Sequence, residues 1–240
     1  MKQLMIIIRE LEDMEDNNIK ERYIKQNLLP RTISAAILAP VILYLVYKGG
    51  YLFNSLITLL ALLMSMEWVH IVNSNPLRQY KKLWYLLGIF YIALPCLSLI
   101  YLRQLDNGLN IILWLLLTVW ASDIGAYVFG IAFGGAKLMP LVSPSKTWSG
   151  ALGAIIFSCI IGGSYIKFSG LNIPSWLPMC FFLSIVAQIG DLAESGFKRV
   201  FKVKDSGALI PGHGGVLDRI DSVVTASVFI AVYYLVNGSL

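Results

Sequence analysis

The feature that most restricts this chain is a succession of near-continuous apolar runs, seven of them, most about as long as a bilayer-spanning helix. A helix needs roughly 20 apolar residues to cross the hydrocarbon core, and backbone polar groups in lipid must pair internally, so only helices or closed barrels can span. The runs do not alternate apolar with polar positions, which removes the barrel. The expected fold class is all-α: a polytopic integral membrane protein of about seven transmembrane helices. The spans are placed at residues 33–47, 51–72, 83–102, 109–132, 149–166, 175–194 and 221–237. Composition agrees, since a chain 57% hydrophobic and only 14% charged has more apolar surface than a soluble core would cover. Cys96, Cys159 and Cys180 all fall inside these runs without CxxC spacing and are read as buried thiols.

The charges between the spans orient the chain. With the N-terminus inside, 16 of the 19 lysines and arginines lie in cytosolic segments, and only Lys48, Arg103 and Lys167 lie outside. The positive-inside rule therefore accounts for the net charge of +5 without a nucleic-acid partner. Residues 1–32 are read as a cytosolic tail ahead of a membrane domain at 33–240. Within the tail, Leu4 to Ile8 is too short for a signal-peptide core, and Ile19 to Leu29 could form either a surface amphipathic helix or a solvated arm. The expected location is the inner, cytoplasmic membrane, with the polar segments described next facing the cytosol.

Polar groups gather most densely at Ser195 to Asp221, SGFKRVFKVKDSGALIPGHGGVLDRID. Upstream, Asp191, Ser195 and Lys198 fall at spacings of four and seven and share a helix face. Downstream, Asp218, Asp221, Ser222 and Thr225 repeat that pattern. Two carboxylate-bearing helix faces at one membrane surface suit a hard divalent cation, which takes oxygen ligands and leaves room for phosphate and water. The basic residues Lys198, Arg199, Lys202, Lys204 and Arg219 can neutralise a polyphosphate. The segment PGHGG, with His213, Gly214 and Gly215, lets backbone amides approach anionic oxygens. As membrane anchors on a solvated loop these charges would need neither the aspartates nor the paired glycines.

Two further positions stand out. Asp123, in VWASDIGAYVFG, lies well inside the fourth run, where a lone carboxylate is costly unless paired or hydrated. Lys146, in SPSKTWSG, stands at the entrance of a helix whose N-terminal amides attract anions, which makes it a candidate phosphate ligand. His70, after Glu67 and Trp68, reads as an interfacial residue.

The pattern S-x-F-K-R-x4-K-D-x-G-x2-I-P-x-H-G-G-V-x-D-R-I-D, residues 195–221, resembles the signature of the phosphatidate cytidylyltransferase family. QIGDLAES at 188–195, SDIGAYVFG at 122–130 and SPSKTWSG at 143–150 resemble further family blocks in the same order. The resemblance implies that CTP and phosphatidate give CDP-diacylglycerol and pyrophosphate with Mg2+, and it allows a homodimer. It implies Asp191 and Asp218 as metal ligands, with Asp221 in support; spacing alone leaves open which of Asp218 and Asp221 binds directly. Lys146, Lys198, Lys204 and Arg219 would hold phosphoryl groups beside Ser195 and Arg199, and His213 with Gly214 and Gly215 would shape the nucleotide pocket. One departure is Ser149, where the family pattern SPxKTxEG has glutamate; Glu194 is a carboxylate that could compensate.

Other classes make different demands. A CTP-dependent lipid kinase would use a similar site but release CDP. An ion-coupled transporter would use Asp123 as its ion site and would show an internal repeat of spans, which is not found. The DG-x2-AR-x8-G-x3-D-x3-D pattern of the CDP-alcohol phosphotransferases is absent.

Overall fold

The computed structural model describes residues 29–74, 80–173, 175–207, 209 and 214–238, with side chains from residue 37 onward. The expected tail lies outside the described residues up to residue 28. Among the described residues there are seven helices: α1 (Leu29–Lys48), α2 (Gly50–Asn73), α3 (Lys81–Gln104), α4 (Gly108–Ala132), α5 (Trp148–Ser169), α6 (Trp176–Val200) and α7 (Leu217–Asn237). Each matches one expected span. Six of them, α2 to α7, are long and apolar enough to cross a membrane, whereas the apolar part of α1 that is described, Ile37–Lys48, is short. Large apolar side chains such as Tyr51, Phe90 and Phe168 are exposed on the outside, as a lipid-facing surface requires.

The all-α expectation needs one correction. Between α4 and α5 the chain forms an antiparallel hairpin, β1 (Lys137–Met139) and β2 (Ser143–Thr147), with Lys137 opposite Thr147 and Met139 opposite Ser143. SPSKT is therefore a strand, and Lys146 projects from it one residue before the helix cap. Thr147 supplies that cap, its Oγ1 accepting from the Gly150 N–H at 3.1 Å.

Two α-helices also outrun their apolar spans. α6 continues to Val200 with Lys198 and Arg199 in its last turn, and α7 starts at Leu217 with Asp218 in its first. Both charge placements complement the helix dipole. They carry the helices beyond the hydrocarbon-like stretch, which is how charged side chains come to lie on rigid elements.

Close packing fixes the bundle. A methyl group on Gly125 of α4 would strike the Gly153 carbonyl of α5, and one on Gly153 would strike Phe129, so these helices touch backbone to backbone. At the opposite end from the site, Arg103 donates from Nε to the Val46 carbonyl at 2.9 Å and from Nη2 to that of Tyr47 at 3.1 Å, satisfying the end of α1. One buried core centres on Trp114, Leu115, Ile112 and Leu183. A second, near the site, joins α2, α3, α6 and α7. In it Trp68 stacks on Phe197 at 4.0 Å between ring centres, Trp84 meets Phe201 edge-on, and Trp68 Nε1 donates to the Trp84 carbonyl. The three cysteines are free; Cys180 is buried as expected, whereas Cys96 and Cys159 are only half-buried.

Candidate active site

A polar cavity of about 330 Å³ opens where α4, α6 and α7 converge, lined by Asp123, Asp191, Lys198, Asp205, Asp218, Arg219, Asp221 and Ser222. Six of these are residues the sequence singled out for the site. Asp123, expected to be costly in lipid, opens onto this cavity. Lys146 reaches in from β2 and pairs with Asp191 at 2.5 Å, and Ser195, one turn along α6, donates to the other oxygen of Asp191 at 3.4 Å. Lys198 bridges two carboxylates, Glu194 Oε1 at 3.1 Å and Asp218 Oδ1. Glu194 is buried, so its charge is compensated within α6 itself.

Asp218 is the most firmly held group. Its Oδ2 accepts from the Ser206 N–H at 2.9 Å, the Ser206 hydroxyl at 3.0 Å and the Gly215 N–H at 3.2 Å. Its Oδ1 turns to Lys198. Asp221, one turn on, lines the cavity with an oxygen accepting from the Ser222 N–H at 2.7 Å.

Several expected residues lie elsewhere. Arg199 points away from the cavity and donates to the carbonyls of Val142 and Val203, tying the hairpin to the end of α6. Lys204 is exposed and does not line the cavity. His213 lies outside the described residues. Gly214 holds a left-handed φ of 87°, and Gly215 offers its amide to an anion, but that anion is the protein's own Asp218.

Sequence reasoning passed over Glu67. This residue of α2 is buried at 3% exposure and accepts from the N–H groups of Val216 at 2.8 Å and Leu217 at 2.9 Å and from the Ser206 hydroxyl at 2.9 Å. The reasoning that flagged Asp123, a lone carboxylate in an apolar run, would have found it. Ser149 donates to the Gly134 carbonyl at 2.5 Å and lies 3.0 Å from Thr147 Oγ1, so it fastens the turn after α4.

Among the described residues no three histidine, cysteine or carboxylate side chains converge closely enough to form a ready-made metal cage. The donor set nevertheless fits Mg2+. Five aspartates face one water-accessible cavity, and this ion characteristically takes one or two protein carboxylates and completes its shell with water and phosphate.

Beside the polar cavity, an apolar groove of about 490 Å³ runs between α2, α3, α6 and α7, walled by Trp68, Trp84, Phe90, Leu94, Phe197 and Val228. Glu194 lies in the wall of the groove and pairs with Lys198 of the cavity, so the two spaces adjoin across one helical turn of α6.

A bundle of membrane-length helices holding a lysine- and aspartate-lined cavity against a lipid-side groove defines a polytopic membrane protein with a charged site at one end. The model of the Cytidylyltransferase family matches residues 70–237, and the chain belongs to that family. It is 34% identical to a phosphatidate cytidylyltransferase of Brucella suis biovar 1 (strain 1330), over 86% of this chain and 93% of that one. It is 41% identical to one of Staphylococcus saprophyticus subsp. saprophyticus, over 70% of this chain and 64% of that one. With one of Staphylococcus aureus (strain COL) the identity is 42%, over 57% and 53%.

Proposed function

We propose that this protein is a phosphatidate cytidylyltransferase, transferring the cytidylyl group of CTP to phosphatidate. The observation that carries the reading is the adjacency of cavity and groove in a chain whose relatives bear that name. A water-soluble polyphosphate and a membrane lipid can both reach such a place, the polyphosphate through the polar cavity and the acyl chains along the apolar groove.

In the reaction, a phosphate oxygen of phosphatidate attacks the α-phosphorus of CTP. The new P–O bond forms as the bond to the β-phosphate oxygen breaks, and pyrophosphate leaves. A phosphomonoester is largely doubly ionised at neutral pH, so the nucleophile needs little help from a base. What remains for the protein is alignment and charge neutralisation. Lys146, paired with Asp191, and Lys198, paired with Asp218, supply ammonium groups to the phosphates, and Arg219 in the cavity wall adds a third cation. Asp191 and Asp218, with Asp221, would hold Mg2+, which when bound neutralises phosphate charge and orients the two substrates. Ser195 keeps Asp191 oriented. As the family resemblance implies, Lys204 would hold a phosphoryl group and His213 with Gly214 and Gly215 would shape the nucleotide pocket, while Arg199 ties the hairpin to the end of α6.

The same reading puts all seven helices across the inner membrane with the N-terminus and the site on the cytosolic side, and it extends to a homodimer. Purified protein in lipid discs, given labelled CTP, phosphatidate and Mg2+, is expected to form CDP-diacylglycerol and pyrophosphate in equal amounts. Asp218→Asn is expected to lower the rate by about 100-fold or more, the scale for losing one preorganised electrostatic group, and chelator to abolish it. Release of CDP with a phosphorylated lipid would replace this reading with a lipid kinase.

A further inference from the structure

Glu67 occupies an unusual position for a residue in an apolar helix. It precedes the stretch matched to the family model, yet both its oxygens are bound by the segment that leads into α7, some 140 to 150 residues later. A serine or asparagine next to α7 could cap that helix without burying a charge. Instead a carboxylate is delivered from α2, and room is made for it by two glycines. A methyl group on Gly215 would strike Ser206 Oγ and lie 2.7 Å from Glu67 Oε2, and one on Gly207 would lie 2.9 Å from Oε1. Gly207 and Gly215 thus make room for an anion that belongs to the protein.

Ser206 links that anion to the site. Its hydroxyl is within hydrogen-bonding distance of both Glu67 Oε2 and Asp218 Oδ2, and a hydroxyl has one proton to donate, so the two carboxylates share it. With Oδ2 of Asp218 fully engaged by Ser206 and Gly215, only Oδ1 is turned to Lys198. We infer that Glu67 is a positioning residue: by fixing Ser206 and the first amides of α7, it aims Asp218 Oδ1 into the cavity. Its effect on turnover rests on the proposed function; its effect on geometry does not.

The test compares full-length wild type, E67Q and S206A in lipid discs, by amide hydrogen exchange and by turnover with CTP and phosphatidate. Glutamine keeps the shape of Glu67 but points a donor at groups that are themselves donors. Alanine at 206 removes the shared proton and leaves the bonds from Val216 and Leu217 in place. In E67Q the Val216 and Leu217 amides are expected to exchange at least about tenfold faster. Its kcat is expected to fall about tenfold or more while KM for phosphatidate stays within about twofold. S206A is expected to lower kcat in the same direction without altering those two amides.

A folded E67Q with kcat within about twofold of wild type overturns the inference, as does a kcat loss matched by an equal loss of folded protein. If E67Q does not fold, S206A decides, and an unchanged kcat overturns it. Wild type that makes no CDP-diacylglycerol refutes the proposed function; exchange at Val216 and Leu217 that does not move in E67Q then overturns the positioning role as well.

Discussion

Lys198 is the residue on which most charge depends. It pairs with Glu194 and with the inward oxygen of Asp218, with all three side chains mostly shielded from water. Removing one member of a buried ion group costs more than the group contributes, because the partners stay behind unpaired. Lys198→Ala is therefore expected to lose activity and also about 3–5 kcal/mol of stability, read by thermal unfolding in lipid discs. Lys146→Ala should lose activity with a much smaller change in stability. Its pair with Asp191 is a quarter to a third exposed, and water can take over from the missing partner. Identifying these side chains from sequence worked where helical spacing fixed a face, as for Asp191, Ser195 and Lys198. It failed for Arg199 and Lys204, because a residue at a helix end or in a loop can turn either way and composition does not say which.

At the scale of elements, the two glycines around Glu67 and the glycines between α4 and α5 do separate jobs. Gly215→Ala is expected to unseat the start of α7, since its methyl group would meet both Ser206 and Glu67; loss of CTP turnover with faster exchange at Leu217 would show it. Gly196→Ala, also within the signature, meets only Val142 at 3.9 Å and should be tolerated, with a melting temperature equal to or above that of wild type because alanine favours the helix. The same contrast explains what was legible. Seven apolar runs announced the seven helices of the described residues, since lipid leaves a long apolar segment few alternatives. The apolar runs stop short of the last turns of α6 and the first of α7, and there the helices were announced by polar spacing instead, Asp191, Ser195 and Lys198 on one face and Asp218, Asp221, Ser222 and Thr225 on the other. The β1–β2 hairpin was hidden: strands of three and five residues, one containing Pro144, are too short to show a period.

For the whole molecule, the basic residues are divided between two ends. Lys48, Arg103 and Lys167 lie at the far end, while Lys146 and Lys198 lie at the site and Arg199 and Lys204 lie at the same end outside the cavity, the division that the positive-inside argument expects. A cysteine placed at Lys204 should therefore resist a membrane-impermeant maleimide in intact cells and react after permeabilisation, and one at Lys48 should react in both. The native thiols, half-buried or buried, contribute little background. The reverse labelling pattern would turn the bundle over and rule out a cytosolic site.

The pairing of Lys146 with Asp191 also bears on how the protein is made. The two residues emerge from the ribosome in different segments, one in the hairpin before α5 and one within α6. The pair forms only once the hairpin has met α6, so it reports that these two segments have docked. Because water reaches both side chains, removing either partner should leave the yield of inserted protein close to that of the double variant Lys146→Met, Asp191→Leu, although all three would be catalytically impaired.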